Sequence, residues 1–74
     1  MSEPDFISNS RIAIIGLGLM GGSLALALRD RCQSLLGCDQ DPVALDFAHQ
    51  QNLFAKLSND PVEILPGADV VILA

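Results

Sequence analysis

Seventy-four residues make at most one domain, and a chain this short buries only ~60% of the surface it exposes when unfolded. Half of the residues are apolar, mean hydropathy is +0.42 and three Phe are the only aromatics, which excludes a disordered segment and fits an aliphatic core shared by a parallel sheet and its helices. Nine acids against four bases give a net charge of −5, and Arg11, Arg29, Arg31 and Lys56 form no basic stripe; the balance excludes a nucleic-acid module and reads as solubility.

Other classes fall away on similar grounds. Cys32 and Cys38 lie six apart with no CxxC, so neither a zinc site nor a disulfide scaffold is expected; the thiols read as reduced and the compartment as cytoplasmic. Between Arg11 and Arg29 lie seventeen uncharged residues, with Gly16, Gly18, Gly21 and Gly22 in their middle. A span needs ~20 apolar residues, so no membrane partner is expected. A signal peptide wants positive charge at its start, and Glu3 and Asp5 stand there instead.

In chain order, 1–10 is polar, carries Pro4 and has no period, so a mobile tail is expected. Residues 11–15 read as a buried β-branched strand, and 19–31 as a helix whose middle is mostly buried and whose Arg29 and Arg31 suit the C-terminal end of the dipole. Residues 34–39 form a second strand. Asp41-Pro42 then opens a second long helix, with Asp41 as cap and Pro42 at the first helical position. Val43, Ala44, Phe47 and Ala48 form its apolar stripe, His49 points away from that stripe, and Asn52 stands where a left-handed cap belongs.

A short third strand is expected over 53–57. Asp60-Pro61-Val62-Glu63 reads as a helix start with a capping box, ended by Pro66-Gly67, and Asp69 leads into a fourth apolar strand, 70–74. The β-α-β-α-β-(short α)-β alternation predicts an α/β fold with a parallel sheet. Residues 11–74 then read as the N-terminal part of a domain, incomplete at its C-terminus, because the fourth strand runs to Ala74 with nothing to cover it.

The chemistry lies in Gly16-Leu17-Gly18-Leu19-Met20-Gly21. A lone G-x-G-x-x-G is weak, but here a strand precedes it, a helix follows, and the acid Asp39 ends the next strand eighteen residues after Gly21. Gly16 allows the tight turn, Gly18 lets a pyrophosphate approach the backbone, and Gly21 lets the helix pack on the strand. The N–H groups of Leu19 and Met20 at the positive end of the helix would face the phosphates. Asp39 would accept from the adenosine ribose hydroxyls and repel the extra phosphate of NADP. Two like charges at 4 Å cost about 1 kcal/mol in water and about 4 kcal/mol at an effective dielectric of 20. No base follows to offset this, since Gln40 and Asp41 come next, so the expected cofactor is NAD.

The fold class is therefore the first half of a Rossmann-like, doubly wound parallel sheet. Cofactor contacts are expected from Gly16, Leu17, Gly18, Leu19, Met20, Gly21 and Asp39, with no catalytic and no metal-ligating residue. Met20 either walls the cofactor or packs, and Ser23 either meets a phosphate or bonds its own helix backbone.

Residues 14–28, IIGLGLMGGSLALAL, resemble the N-terminal fingerprint of the prephenate/arogenate dehydrogenases of tyrosine biosynthesis. The doubled glycine followed by Ser23-Leu24-Ala25 is the discriminating part; hydroxyisobutyrate dehydrogenases share GLGxMG but usually lack that continuation. Residues 37–42, GCDQDP, and 68–74, ADVVILA, are similar to the same family's second and fourth strands. The resemblance covers Arg11 to Ala74 and implies oxidative decarboxylation of prephenate or arogenate, with hydride passing to NAD. It also implies a homodimer for the full-length enzyme. The family's catalytic histidine lies further along, and His49 does not match it, so the 74 residues alone are expected to be inactive. Two other readings stay open: a non-catalytic module that binds a dinucleotide, and the N-terminus of another NAD- or FAD-dependent oxidoreductase.

Overall fold

The computed structural model describes residues 5–74 and sets β1 (Arg11–Ile15) between β2 (Ser34–Cys38) and β4 (Val70–Leu73). β3 (Lys56–Ser58) completes a four-stranded, all-parallel sheet in the order β3-β2-β1-β4. Ile12 lies between Leu35 and Val70, and Ile15 between Cys38 and Leu73. Alternation along β1 divides the core. Ile12 and Ile14 face α2 (Leu19–Leu28) and α3 (Pro42–Gln51) with Leu17, Ala25, Leu35 and Ala48. Ala13 faces the other way, with Leu36, Cys38 and the fully buried Ile64 of α4 (Pro61–Ile64). Helices on both faces of a parallel sheet make this the first half of a doubly wound fold. No helix among the described residues is long and apolar enough to cross a membrane.

The structure corrects several element boundaries. Asp5–Ser8 form a helical turn, α1, within the stretch expected as a tail. Ser10 behind it is buried and its carbonyl accepts from the Gln33 amide at 2.9 Å. Residues 1–4 of the expected tail lie outside the described residues.

α2 stops at Leu28, three residues early, because the chain must turn back toward β2; the Arg31 amide closes that turn on the Leu28 carbonyl at 2.8 Å. Only Gly21 and Ala25 of α2 are buried, not its whole middle. The helix is apolar all round, yet the sheet lies under just one face. α3 is rotated from its expected stripe in the same way: Ala44, Leu45 and Ala48 face inward, while Val43 and Phe47 stand exposed.

β3 begins at Lys56 rather than Leu53. Leu53 and Phe54 pack against the core before the ladder starts, and Gly37 opposite has no side chain, which gives Phe54 and Leu57 their room. A Cβ at Gly37 would come within 2.7 Å of Leu57 Cδ2.

The caps are mostly as expected. The Asp41 carboxylate accepts from the Val43 amide at 3.0 Å with Pro42 opening α3, and Asn52 closes it at φ 57°, ψ 37°. Asp60 accepts likewise from the Val62 amide at 3.0 Å. The reciprocal arm of the capping box does not form. Glu63 accepts instead from the Ser58 hydroxyl at 2.8 Å, and that same hydroxyl oxygen accepts from the Asp60 amide at 3.0 Å. A short 3-10 turn, Leu65–Gly67, carries the chain on to β4.

Candidate functional site

The turn from β1 into α2 is shaped by three glycines with three different constraints. Gly16 has φ +98°, a region that residues with a Cβ avoid, and a Cβ there would also lie 2.8 Å from the Ala74 carbonyl oxygen. A Cβ on Gly21 would run into the Gly16 carbonyl oxygen, so its absence lets α2 sit down on β1. Gly18 differs from both: nothing lies within 4 Å of the position its Cβ would take. The space above Gly18 is open, as close approach of a ligand to the backbone requires.

Two consecutive amides tie this turn to the end of β2. Gly16 donates to the Cys38 carbonyl at 2.8 Å, and Leu17 donates to Asp39 Oδ2 at 2.7 Å. The other carboxylate oxygen, Oδ1, accepts from the Asp41 amide at 2.9 Å. These bonds, from Asp41 and then Leu17, hold the Asp39 carboxyl below its ordinary range, so it is ionised at neutral pH. Its neighbour Cys38 is buried, and burial, together with the charges of Asp39 and Asp60, pushes that thiol up and keeps it protonated.

With the amides of Gly16 and Leu17 engaged, those of Gly18, Leu19, Met20 and Gly21 make no hydrogen bond among the described residues. No side chain caps α2. Its first N–H groups and the positive end of its dipole therefore point at solvent, an arrangement suited to a phosphate. Leu19 and Met20 are 94% and 78% exposed.

Two apolar clefts flank this helix start. One, of about 450 Å³, runs between α2 and α3 over Gly18, Gly22, Leu26 and Phe47. The other, of about 530 Å³, lies between α2 and β4 and is walled by Met20, Leu24, Ile72 and Leu73. Met20 thus lines a cleft rather than packing into the core. Ser23 borders both clefts.

The structure brings all seven expected residues together around one turn: Gly16 to Gly21 in sequence, and Asp39 by its bond to Leu17. The engagement of the Leu17 amide was not visible in the sequence. The only hint was a carboxylate ending the adjacent strand. A ribose and a pyrophosphate fit these residues, since Asp39 keeps unshared lone pairs and Gly18 leaves the approach clear.

Residues 11–74 match the family model described as the NAD binding domain of 6-phosphogluconate dehydrogenase. The chain belongs to this family. It is an NAD-binding domain. No curated protein matches it. Among solved structures it is similar to the WlbA dehydrogenase of Chromobacterium violaceum, determined in complex with NADH and UDP-GlcNAcA. The two share 30% identity with a TM-score of 0.74, over 100% of this chain and 23% of that one. The NAD-binding domain thus spans under a quarter of the length of that dehydrogenase.

Proposed function

We propose that this NAD-binding domain holds the adenosine and pyrophosphate parts of the dinucleotide for an oxidoreductase whose substrate-reading residues are not among these 74. The observation that carries the proposal is the Asp39 carboxylate docked at 2.7 Å on the glycine turn, next to the open face of Gly18. When bound, NAD supplies a hydride acceptor. The chain's own residues bind and orient it. The amides of Gly18, Leu19, Met20 and Gly21 donate to phosphate oxygens, Asp39 accepts from ribose hydroxyls, and Met20 walls the cleft beside β4. Gly16 and Leu17 contribute by shaping the turn rather than by donating.

The reaction class is a finer reading. Residues 21–25, GGSLA, with 37–42 and 68–74, support a prephenate/arogenate dehydrogenase, which would oxidatively decarboxylate its substrate and act in the cytoplasm as a homodimer. The 6-phosphogluconate dehydrogenase family model and the similarity to the WlbA dehydrogenase support an NAD-dependent oxidoreductase more broadly.

Fluorescence titration with NADH and NADPH tests cofactor choice. Tighter NADH binding that Asp39→Ala erodes more than NADPH binding is the expected result, and equal loss for both overturns the ribose assignment. Reaction class is tested by assaying a protein that carries this domain with NAD and either prephenate, arogenate or 6-phosphogluconate. Turnover of 6-phosphogluconate alone would remove the prephenate/arogenate reading.

A further inference from the structure

We infer that Asp39 is a positioning residue for the phosphate-facing turn, acting through the Leu17 peptide, in addition to any contact with ribose. The inference deepens the dinucleotide reading above and rests on it. The Leu17 amide lies one residue before Gly18, where the backbone leaves the strand and begins to present its unpaired N–H groups. Rotating the Leu17 peptide would swing Gly18 and the start of α2 with it.

Two bonds oppose that rotation, Gly16 N–H to the Cys38 carbonyl at 2.8 Å and Leu17 N–H to Asp39 Oδ2 at 2.7 Å. The first is main chain to main chain and survives any side-chain change. The second depends wholly on Asp39. Asp39 is itself held: Oδ1 accepts from the Asp41 amide at 2.9 Å, and the Asp41 carboxylate caps α3 through Val43 at 3.0 Å. A continuous relay of hydrogen bonds therefore runs from the glycine turn to the start of α3, and Asp39 is its middle link. Side-chain bonds of this kind, made with an ionised acceptor, are among the stronger ones.

Ribose contact and turn positioning predict opposite signs for a ligand that has phosphate and no sugar. By Coulomb repulsion alone, removing the Asp39 charge should strengthen binding of inorganic pyrophosphate. If Asp39 positions the turn, removing it should weaken that binding despite the lost repulsion.

The test uses the whole chain, with inorganic pyrophosphate displacing NADH, and amide hydrogen exchange as a second measurement. Pyrophosphate affinity is expected to fall about tenfold in Asp39→Ala, with Asp39→Asn, which keeps an acceptor for Leu17, between that variant and the unaltered chain. In the unaltered chain the Leu17 amide should be protected like Gly16, while Leu19 and Met20 exchange freely. In Asp39→Ala, Leu17 should lose its protection together with Asp41, the other amide that Asp39 accepts from, while Gly16 keeps its own. Equal or tighter pyrophosphate binding by Asp39→Ala overturns the inference, as does unchanged Leu17 exchange in that variant. Should the variant fail to fold, free exchange of Leu17 in the unaltered chain overturns it equally. Failure of the unaltered chain to bind NADH would instead remove the dinucleotide reading itself.

Discussion

Asp69 grips Arg11 through main chain and side chain at once. Its amide donates to the Arg11 carbonyl at 2.7 Å, and its Oδ2 accepts from the Arg11 amide at 2.8 Å and from Nε at 3.2 Å. Oδ1 takes Nη2 at 3.2 Å. The pair stands at the starting ends of β1 and β4, opposite the glycine turn, and sets the register that places Ile12 beside Val70. Each partner favours the charged form of the other: the Arg11 bonds hold the Asp69 carboxyl below its ordinary range, and Asp69 raises the guanidinium.

The clamp predicts an acid-sensitive stability. A carboxyl whose folded value lies below its unfolded value of about 3.9 contributes stability that is present above that value and lost as pH falls through the folded one. Asp39 is shifted in the same direction. Urea unfolding at a series of acidic pH values should therefore show a shallower pH slope for Asp69→Asn than for the unaltered chain. Both partners are exposed, at 47% and 39%, so the effect should shrink in high salt. Identical slopes would show that the clamp contributes nothing.

Adjacent glycines in α2 should respond with opposite signs. At Gly21 a new methyl meets the Gly16 carbonyl oxygen, a main-chain atom that cannot step aside. Gly21→Ala should cost about 1–3 kcal/mol as overpacking. At Gly22 nothing lies within 4 Å, so Gly22→Ala should gain up to about 1 kcal/mol from helix propensity. Denaturant unfolding of the two variants side by side reads this directly, and a common sign would contradict the packing described.

Gly18→Val separates binding from folding. Its φ of −67° is open to any L residue and its surroundings are empty, so unfolding free energy should change by no more than about 1 kcal/mol. The added side chain would occupy the approach to the unpaired amides. NADH affinity should fall at least about tenfold, worth about 1.4 kcal/mol, by fluorescence titration. Unchanged affinity would mean that the phosphates sit elsewhere.

Asn52 closes α3 in the left-handed region, with its amide donating to the His49 carbonyl at 3.1 Å. Asn52→Gly should be neutral or slightly stabilising, whereas Asn52→Val should cost about 1–2 kcal/mol through its Cβ. Thermal unfolding decides, and a Val variant as stable as the Gly variant would argue against the left-handed cap.

What the sequence reveals here is local in origin. The strand, the three glycines, the Asp41 and Asn52 caps and the acid at the end of β2 each depend on near neighbours, and each stands where expected. What it hides is tertiary. α2 and α3 are apolar on more faces than the sheet can cover, so beyond Gly21 the pattern alone could not say that Ala25 goes in while Leu26 and Phe47 stay out. The start of β3 depends on Phe54 filling the space over Gly37, and the partner of Glu63 on where Ser58 arrives. The Arg11–Asp69 clamp spans 58 residues of chain and leaves no local trace.

Gly16, like Gly21, is hemmed in by a main-chain atom rather than by a side chain. A larger residue in a packed core can be accommodated when a neighbour becomes smaller. Here the obstructing atom is the carbonyl oxygen of Ala74, which every amino acid at position 74 would carry, and the φ of +98° penalises the new side chain independently. No second-site replacement of a side chain lifts either barrier. A replacement at Gly16 is therefore opposed by the backbone itself, whatever side chains surround the turn.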